Sequence, residues 1–238
     1  MKITILTIII TTGFLIFFFF NYSQLFRKLP LRVFSGAAVY SAVIFVLVNI
    51  PNILFGNLSV ALLGPFSFFL TSFFTELPFY AIVVIYLKRY PYIGALSLLI
   101  IIRKIIVAFT IYSFAIVPFL SLALEILVYE FLLSKAGITN LKNQNKTSII
   151  TKEQNYSSVF LTAFVLMTGN SLVTLVNFEL YMFFYRLVYA QWYIFSYIMV
   201  TCVICTFLGV LLGFKLHQSL KEVQTWKKSL FQIWYLWK

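Results

Sequence analysis

The chain has 238 residues, of which 62% are hydrophobic and 10% are charged, and its mean hydropathy is +1.00. A soluble domain of this length cannot bury so much apolar surface, so the composition excludes a soluble globular protein and indicates an integral membrane protein. The formal net charge is +12. The basic residues gather in gaps between apolar segments and form no separate basic face, so we expect no nucleic-acid partner.

Apolar segments of about 20 residues, the length that crosses a bilayer, recur along the whole chain. They lie at about 3–20, 33–54, 64–88, 92–111, 113–134, 157–177 and 188–214. The sequence therefore predicts an all-α, polytopic membrane bundle of about seven transmembrane helices. Pro51 predicts an interruption of the second span, and Pro78 predicts a break or kink in the third.

Lysine and arginine residues occupy alternate gaps between these segments. The basic gaps contain Arg27, Lys28 and Arg32, then Lys88 and Arg89, then Lys135, Lys142, Lys146 and Lys152, and finally Lys215, Lys221, Lys227, Lys228 and Lys238 after the last span. Basic loops stay on the cytoplasmic side of a membrane. We therefore expect a multi-pass protein of a prokaryotic plasma membrane, with its amino terminus outside and its carboxyl terminus in the cytoplasm.

Three regions follow from this pattern. Residues 1–30 form a predicted anchor with a basic loop, because the basic flank follows the apolar core and no clear signal-peptide cleavage site is present. Residues 31–223 form the predicted membrane core of six helices. Residues 224–238 place tryptophans among lysines, which predicts an amphipathic helix on the inner membrane surface.

Side chains typical of catalysis and metal binding are scarce in the spans. The single histidine, His217, follows the last span, and the two cysteines, Cys202 and Cys205, lie within an apolar run, where we interpret them as small packing residues. The spans contain no Ser/His or His/Glu metal arrangement, and the chain has no lysine-containing phosphate loop. We expect no enzymatic activity, no metal and no cofactor.

Charged residues inside the spans are the strongest functional signal, because each costs at least about 2.5 kcal/mol in a bilayer. At about 1.5 Å per residue, Arg103 lies about 18 Å deep, Glu76 about 16 Å and Glu125 about 14 Å. Their similar depth predicts one buried cluster. The cluster has three interpretations: mutual neutralisation, a solute site or a proton relay. Glu130, about 6 Å deep, is expected to reach the cytoplasmic surface.

Amide and aromatic side chains are concentrated near the predicted outer ends of the spans. Aromatic belts account for many such residues without any ligand, and an outward-facing solute cavity is the alternative. Together with the charged cluster, this pattern defines a candidate substrate-binding set. Its members are Glu76, Tyr80, Arg103, Glu125, Asn170 and Trp192.

Small residues four positions apart predict two faces for close helix contact. One contains Ala38 and Ala42 in the second span, and the other contains Gly209 and Gly213 in the last.

Several short motifs between Leu31 and Val223 occur in an order and spacing found in a known family. They are Ala38 with Ala42, Gly64-Pro65, Leu77-Pro78, the segment 88–96 (KRYPYIGAL), the segment 123–129 (ALEILVY) and the segment 208–213 (LGVLLG). This arrangement resembles the substrate-binding membrane subunits, or S components, of energy-coupling-factor importers. It is most similar to the branch associated with hydroxymethylpyrimidine, a thiamine precursor.

The resemblance implies a substrate-binding subunit that captures a small vitamin or vitamin precursor from outside. Spans two to seven match the six-helix core of such subunits, with one extra helix in front. The implied partners are a transmembrane coupling subunit, contacted through Ala38 and Ala42, and two cytoplasmic ATPases. Arg103 and Lys104 stand where that branch tends to have an acid, which opens the alternative of an anionic or carboxylated vitamin. A non-transporting scaffold or accessory subunit of a larger membrane complex is the other interpretation.

The predicted topology can be checked by labelling. With Cys202 and Cys205 replaced first, the substitution Gln144→Cys places a lone thiol in the loop after the fifth span. This thiol should resist an impermeant reagent in intact cells and react after permeabilisation, because the basic loop is cytoplasmic. Ready labelling in intact cells would contradict the orientation.

Overall fold

The computed structural model describes residues 29–54, 67–111, 116–139, 156–185 and 192–236, together with Gly13 and Leu62. These residues are almost entirely helical and contain no β-strand, which confirms the all-α class. The first predicted span, at residues 3–20, lies outside the described ranges apart from Gly13.

Six helices have described bounds and coincide with predicted spans two to seven. They are α1 at Leu31–Ile44, α2 at Ser67–Arg89, α3 at Ala95–Ile111, α4 at Ile116–Lys135, α5 at Tyr156–Tyr185 and α6 at Trp192–Leu236. Four stretches in the described ranges are long and apolar enough to cross a membrane, namely Leu31–Leu54, Leu70–Arg89, Tyr156–Phe178 and Phe195–Glu222. The chain is thus a helical membrane protein, and the count of about seven spans remains a prediction.

The prolines disturb the helices less than the sequence predicts. A π-helical turn, Phe45–Asn49, continues α1 and precedes Pro51, and the Ile50 amide bonds the Phe45 carbonyl. Pro51 has no backbone N–H and cannot donate a helical hydrogen bond. The π-helical turn before it accommodates this loss, and the helix continues to Leu54. Helix α2 likewise continues through Pro78, so the helix is not broken there, and a kink at that position stays a prediction.

Helices α2 and α6 pack so closely that their backbones are in contact. A Cβ atom added at Gly209 would lie 2.6 Å from the Leu77 carbonyl oxygen, and one added at Gly213 would lie 2.6 Å from the Ala81 carbonyl oxygen. The two glycines, four residues apart, therefore face two α2 residues that are also four apart. The predicted close contact through this small-residue face is confirmed.

The other small-residue face points away from the bundle. Gly36, Ala37 and Ser41 are the buried side of α1, and the Ser41 hydroxyl donates to the Leu99 carbonyl of α3 at 2.9 Å. Ala38 and Ala42 are exposed on the opposite side. Their contact with a coupling subunit stays a prediction.

Glu130 does not reach the membrane surface, and that expectation is wrong. Its side chain is 2% exposed and accepts hydrogen bonds from the backbone amides of Gly94 and Ser97, each at 3.0 Å, and from the Ser97 hydroxyl at 2.7 Å. The first amides of a helix have no partner within the helix and form its positive end. Glu130 satisfies two of these donors at the start of α3, so the carboxylate stays buried.

The carboxyl-terminal tail is helical, but it continues α6 without a break to Leu236. A helix lying on the membrane surface was expected as a separate element. The described backbone instead forms one helix of 45 residues.

Loss of the Glu130 carboxylate should destabilise the bundle. Glu130→Ala leaves the amides of Gly94 and Ser97 without acceptors, and hydrogen bonds to a charged group contribute about 1.5–3 kcal/mol each. We expect a clearly lower melting temperature in detergent. The control is Glu222→Ala, which removes an exposed acid and should melt close to the unchanged protein. Equal melting of both variants and the unchanged protein would exclude a capping role.

Candidate functional site

A cavity of about 120 Å³ lies between helices α2, α3, α4 and α5. Its walls combine acidic, basic, amide and aromatic side chains. They are Thr75, Glu76, Phe79, Tyr80, Arg103, Glu125, Asn170, Val173, Thr174 and Asn177. Five members of the predicted substrate-binding set therefore share one cavity, and the expected convergence of Glu76, Arg103 and Glu125 is confirmed. Whether these residues bind a solute stays a prediction.

Arg103 brings a cation into the cavity without an ion pair among the described residues. Its guanidinium carbon lies 4.4 Å from the centre of the Phe79 ring, which is within the range of a cation–π contact. Its buried Nε has no hydrogen-bond partner. The arginine is thus held over an aromatic face while one donor remains available.

Glu125 forms an ion pair with Lys104, the residue after Arg103. The Lys104 Nζ lies 3.6 Å from the Glu125 Oε2, with the two side chains 29% and 12% exposed. Adjacent residues on a helix point about 100° apart, so Lys104 and Arg103 occupy different sides of α3. At 3.6 Å the pair is an ionic contact without a hydrogen bond, and Oε2 is otherwise unpartnered. The sequence analysis missed this pair, although the common depth of Lys104 and Arg103 was a usable signal.

Asn170 joins three helices behind the cavity. Its Nδ2 donates to the Thr206 hydroxyl of α6 at 2.8 Å and to the Glu76 Oε2 of α2 at 3.3 Å. The Thr174 hydroxyl, one turn along α5, lies 3.4 Å from the Asn170 Oδ1. Thr206 in turn donates to the Cys202 carbonyl at 2.7 Å. The spacing of four residues from Asn170 could have predicted Thr174 as a member of the site, whereas nothing in the sequence indicated Thr206.

Tyr80, which lines the cavity, forms a hydrogen bond with Tyr129 of α4. Their hydroxyl oxygens are 2.5 Å apart, and both side chains are fully buried. Gly169 on α5 makes room for the Tyr129 ring, because a Cβ atom there would lie 2.6 Å from the ring carbon Cε1. Tyr129 lies one turn after Glu125 on α4, and this spacing was the signal that sequence reasoning did not use.

Buried polar atoms without partners concentrate in this cavity. Among the described residues, five buried side-chain atoms lack a hydrogen bond, and three of them belong to cavity residues. These three are the Arg103 Nε, the Glu125 Oε2 and the Asn177 Oδ1. Buried polar groups are nearly always paired with protein or water, so a cavity with both a free donor and free acceptors is suited to a polar guest.

Trp192, the sixth member of the predicted substrate-binding set, stays a prediction. Its backbone begins α6, and its side chain lies outside the described residues. Cys202 and Cys205 are buried free thiols. In the described part of the chain, no three histidine, cysteine or acidic residues are grouped as a metal site.

Comparisons with known proteins add no assignment. No protein-family model matches the chain, and no curated protein or solved structure matches it significantly. The similarity to energy-coupling-factor S components therefore rests on the sequence motifs alone.

Proposed function

We propose that this protein is a membrane substrate-binding subunit that holds a small polar solute in the cavity between α2, α3, α4 and α5. The observation that supports this function most directly is the convergence on one cavity of three buried polar atoms that have no hydrogen bond, of which the Glu125 Oε2 is in ionic contact with Lys104. Leaving such atoms unpaired costs about 1–3 kcal/mol each, and a guest that pairs with them recovers that cost. In this proposal, solute binding and not mutual neutralisation is the role of Arg103.

The chemistry of the walls favours a polar solute with an acceptor beside a donor. Arg103 offers a donor, while Glu125 and Asn177 offer acceptors. Phe79 and Tyr80 also line the cavity, and the Phe79 ring lies against the Arg103 guanidinium. A vitamin or vitamin precursor with a ring nitrogen or carboxylate next to an amine meets these requirements.

The size of the cavity limits the solute further. Ligand pockets commonly have volumes of about 300–1,000 Å³. At about 120 Å³, this cavity accepts only a compact molecule unless the helices separate. A thiamine-related pyrimidine is compatible in character, and a small carboxylated vitamin is the alternative that Arg103 favours.

The proposal extends to the transport cycle. In an importer of the energy-coupling-factor type, this chain would bind the solute, and a coupling subunit with two ATPases would supply the energy. The outward-facing Ala38 and Ala42 supply a small-residue surface on which another helix can pack closely. The seven-span topology with a cytoplasmic carboxyl terminus belongs to this proposal.

Arg103 provides the sharpest test of solute binding. Arg103→Gln should reduce the occupancy of a retained small molecule, measured by native mass spectrometry of the purified protein. Loss of one charge-assisted hydrogen bond of about 1.5–3 kcal/mol corresponds to a roughly ten- to hundredfold weaker affinity. The melting temperature should fall much less, and the control Lys135→Gln, which removes an exposed cation at the end of α4, should change neither quantity.

A double variant separates solute binding from neutralisation. If Arg103 only balances a buried acid, Arg103→Gln should lower the melting temperature, and Arg103→Gln with Glu76→Gln should restore both stability and occupancy. Under the proposed function, the double variant does not recover the bound molecule. A folded Arg103→Gln protein with full occupancy would exclude the solute role.

The coupling surface can be tested separately. Ala38→Leu with Ala42→Leu should block copurification with the coupling and ATPase subunits, because two larger side chains prevent close helix contact. The matched control is Val39→Leu with Val43→Leu, which adds bulk to two exposed neighbours with the same spacing. Both double variants should insert and melt alike. Unchanged copurification of the Ala38/Ala42 variant would favour the scaffold interpretation.

A further inference from the structure

A second, larger cavity lies at the basic end of the bundle. It has a volume of about 230 Å³ and is lined by Tyr40 of α1, Ile85 and Arg89 of α2, and His217, Leu220 and Lys221 of α6. Ile85 and Arg89 follow Glu76 by nine and thirteen residues, which is about 14–20 Å along α2. This cavity is therefore separate from the solute site.

Positive charge dominates this second cavity. Arg89 and Lys221 line it, and Lys88 is close enough to Lys221 and His217 to interact with both electrostatically. None of the described lining residues has a carboxylate. Like charges brought together repel one another, so the cavity is complementary to an anion.

Two of the cations are held in place by neighbouring rings. The Lys88 Nζ lies 4.4 Å from the centre of the buried Phe214 ring, and the Arg89 guanidinium carbon lies 5.8 Å from the centre of the Tyr90 ring. Side chains fixed in this way lose less conformational freedom when a ligand binds. Lys88, beside the cavity, and Arg89, in its wall, are therefore restrained by these ring contacts.

Apolar surface continues from the cavity along both flanking helices. Leu220 lines the cavity and is 51% exposed, and Leu216, one turn earlier on α6, is 42% exposed. On α1, Val43 lies three residues from Tyr40 and is 40% exposed. These side chains belong to apolar helices that cross the membrane, so acyl chains are the surface they meet.

We propose that this cavity binds the phosphate headgroup of an anionic phospholipid, with Arg89 and Lys221 on the phosphate and the acyl chains along the exposed side chains of α1 and α6. Basic pockets between transmembrane helices on the cytoplasmic side are suited to such headgroups. The apolar flanks favour a lipid over free phosphate, which needs no such surface. The bound lipid fills the space between α1, α2 and α6 and neutralises the cations there.

The test compares lipids of opposite headgroup charge on the full-length protein. Native mass spectrometry after exchange into mixed micelles should show preferential retention of phosphatidylglycerol over phosphatidylcholine with the same acyl chains. Arg89→Gln with Lys221→Gln should weaken that retention by about thirtyfold, since each basic residue near a membrane surface contributes roughly a fivefold attraction to anionic lipid. Inorganic phosphate at millimolar concentration should not displace the lipid.

A matched double variant controls for general surface charge. Lys135→Gln with Lys215→Gln removes two exposed cations from the same end of the bundle but outside the cavity, and it should retain phosphatidylglycerol like the unchanged protein. Equal losses in the two double variants would overturn the proposal in favour of diffuse attraction. Displacement by inorganic phosphate would overturn it in favour of a free-anion site. Equal retention of both lipids by the unchanged protein would overturn it even if the cavity variant failed to fold.

Discussion

The lack of water inside a bilayer governs how this chain arranges its polar groups. A polar group in the hydrocarbon region must find its partner within the protein, because the lipid offers none. Glu130 finds its partners by accepting hydrogen bonds from backbone amides at the start of α3. Asn170 finds its partners by donating hydrogen bonds to Thr206 and Glu76. Among the described residues, the Arg103 Nε and the Asn177 Oδ1 depart from this pattern, because they are buried and have no hydrogen-bond partner.

The α2–α6 contact and the two cavities depend on one another. Gly209 and Gly213 bring α6 against the α2 backbone at Leu77 and Ala81. That contact places Thr206 within reach of Asn170 on one side, and His217 and Lys221 beside Arg89 on the other. The close contact at Gly209 and Gly213 therefore positions α6 for both the Asn170–Thr206 hydrogen bond and the basic cavity at the end of the bundle.

Much of the fold and part of the site were predictable from the sequence. Long apolar runs predicted the six described helices, and similar depths along their helices predicted that Glu76, Arg103 and Glu125 lie close together. Both predictions use only the position of a residue along its own helix. The burial of Glu130 and the pairing of Lys104 with Glu125 were not predictable in this way. Each depends on how two distant helices are rotated and offset, and the apolar composition on all sides of these helices leaves that rotation unspecified.

The length of α6 has a mechanical consequence. Its 45 residues span about 68 Å, roughly twice the thickness of the hydrocarbon core. The helix touches α2 at Gly213, and the stretch from there to Leu236 is about 35 Å long. A tilt of about 10° around that contact would displace the far end by about 6 Å. A small rearrangement where Thr206 meets Asn170 would therefore produce a larger displacement at the Leu236 end of α6.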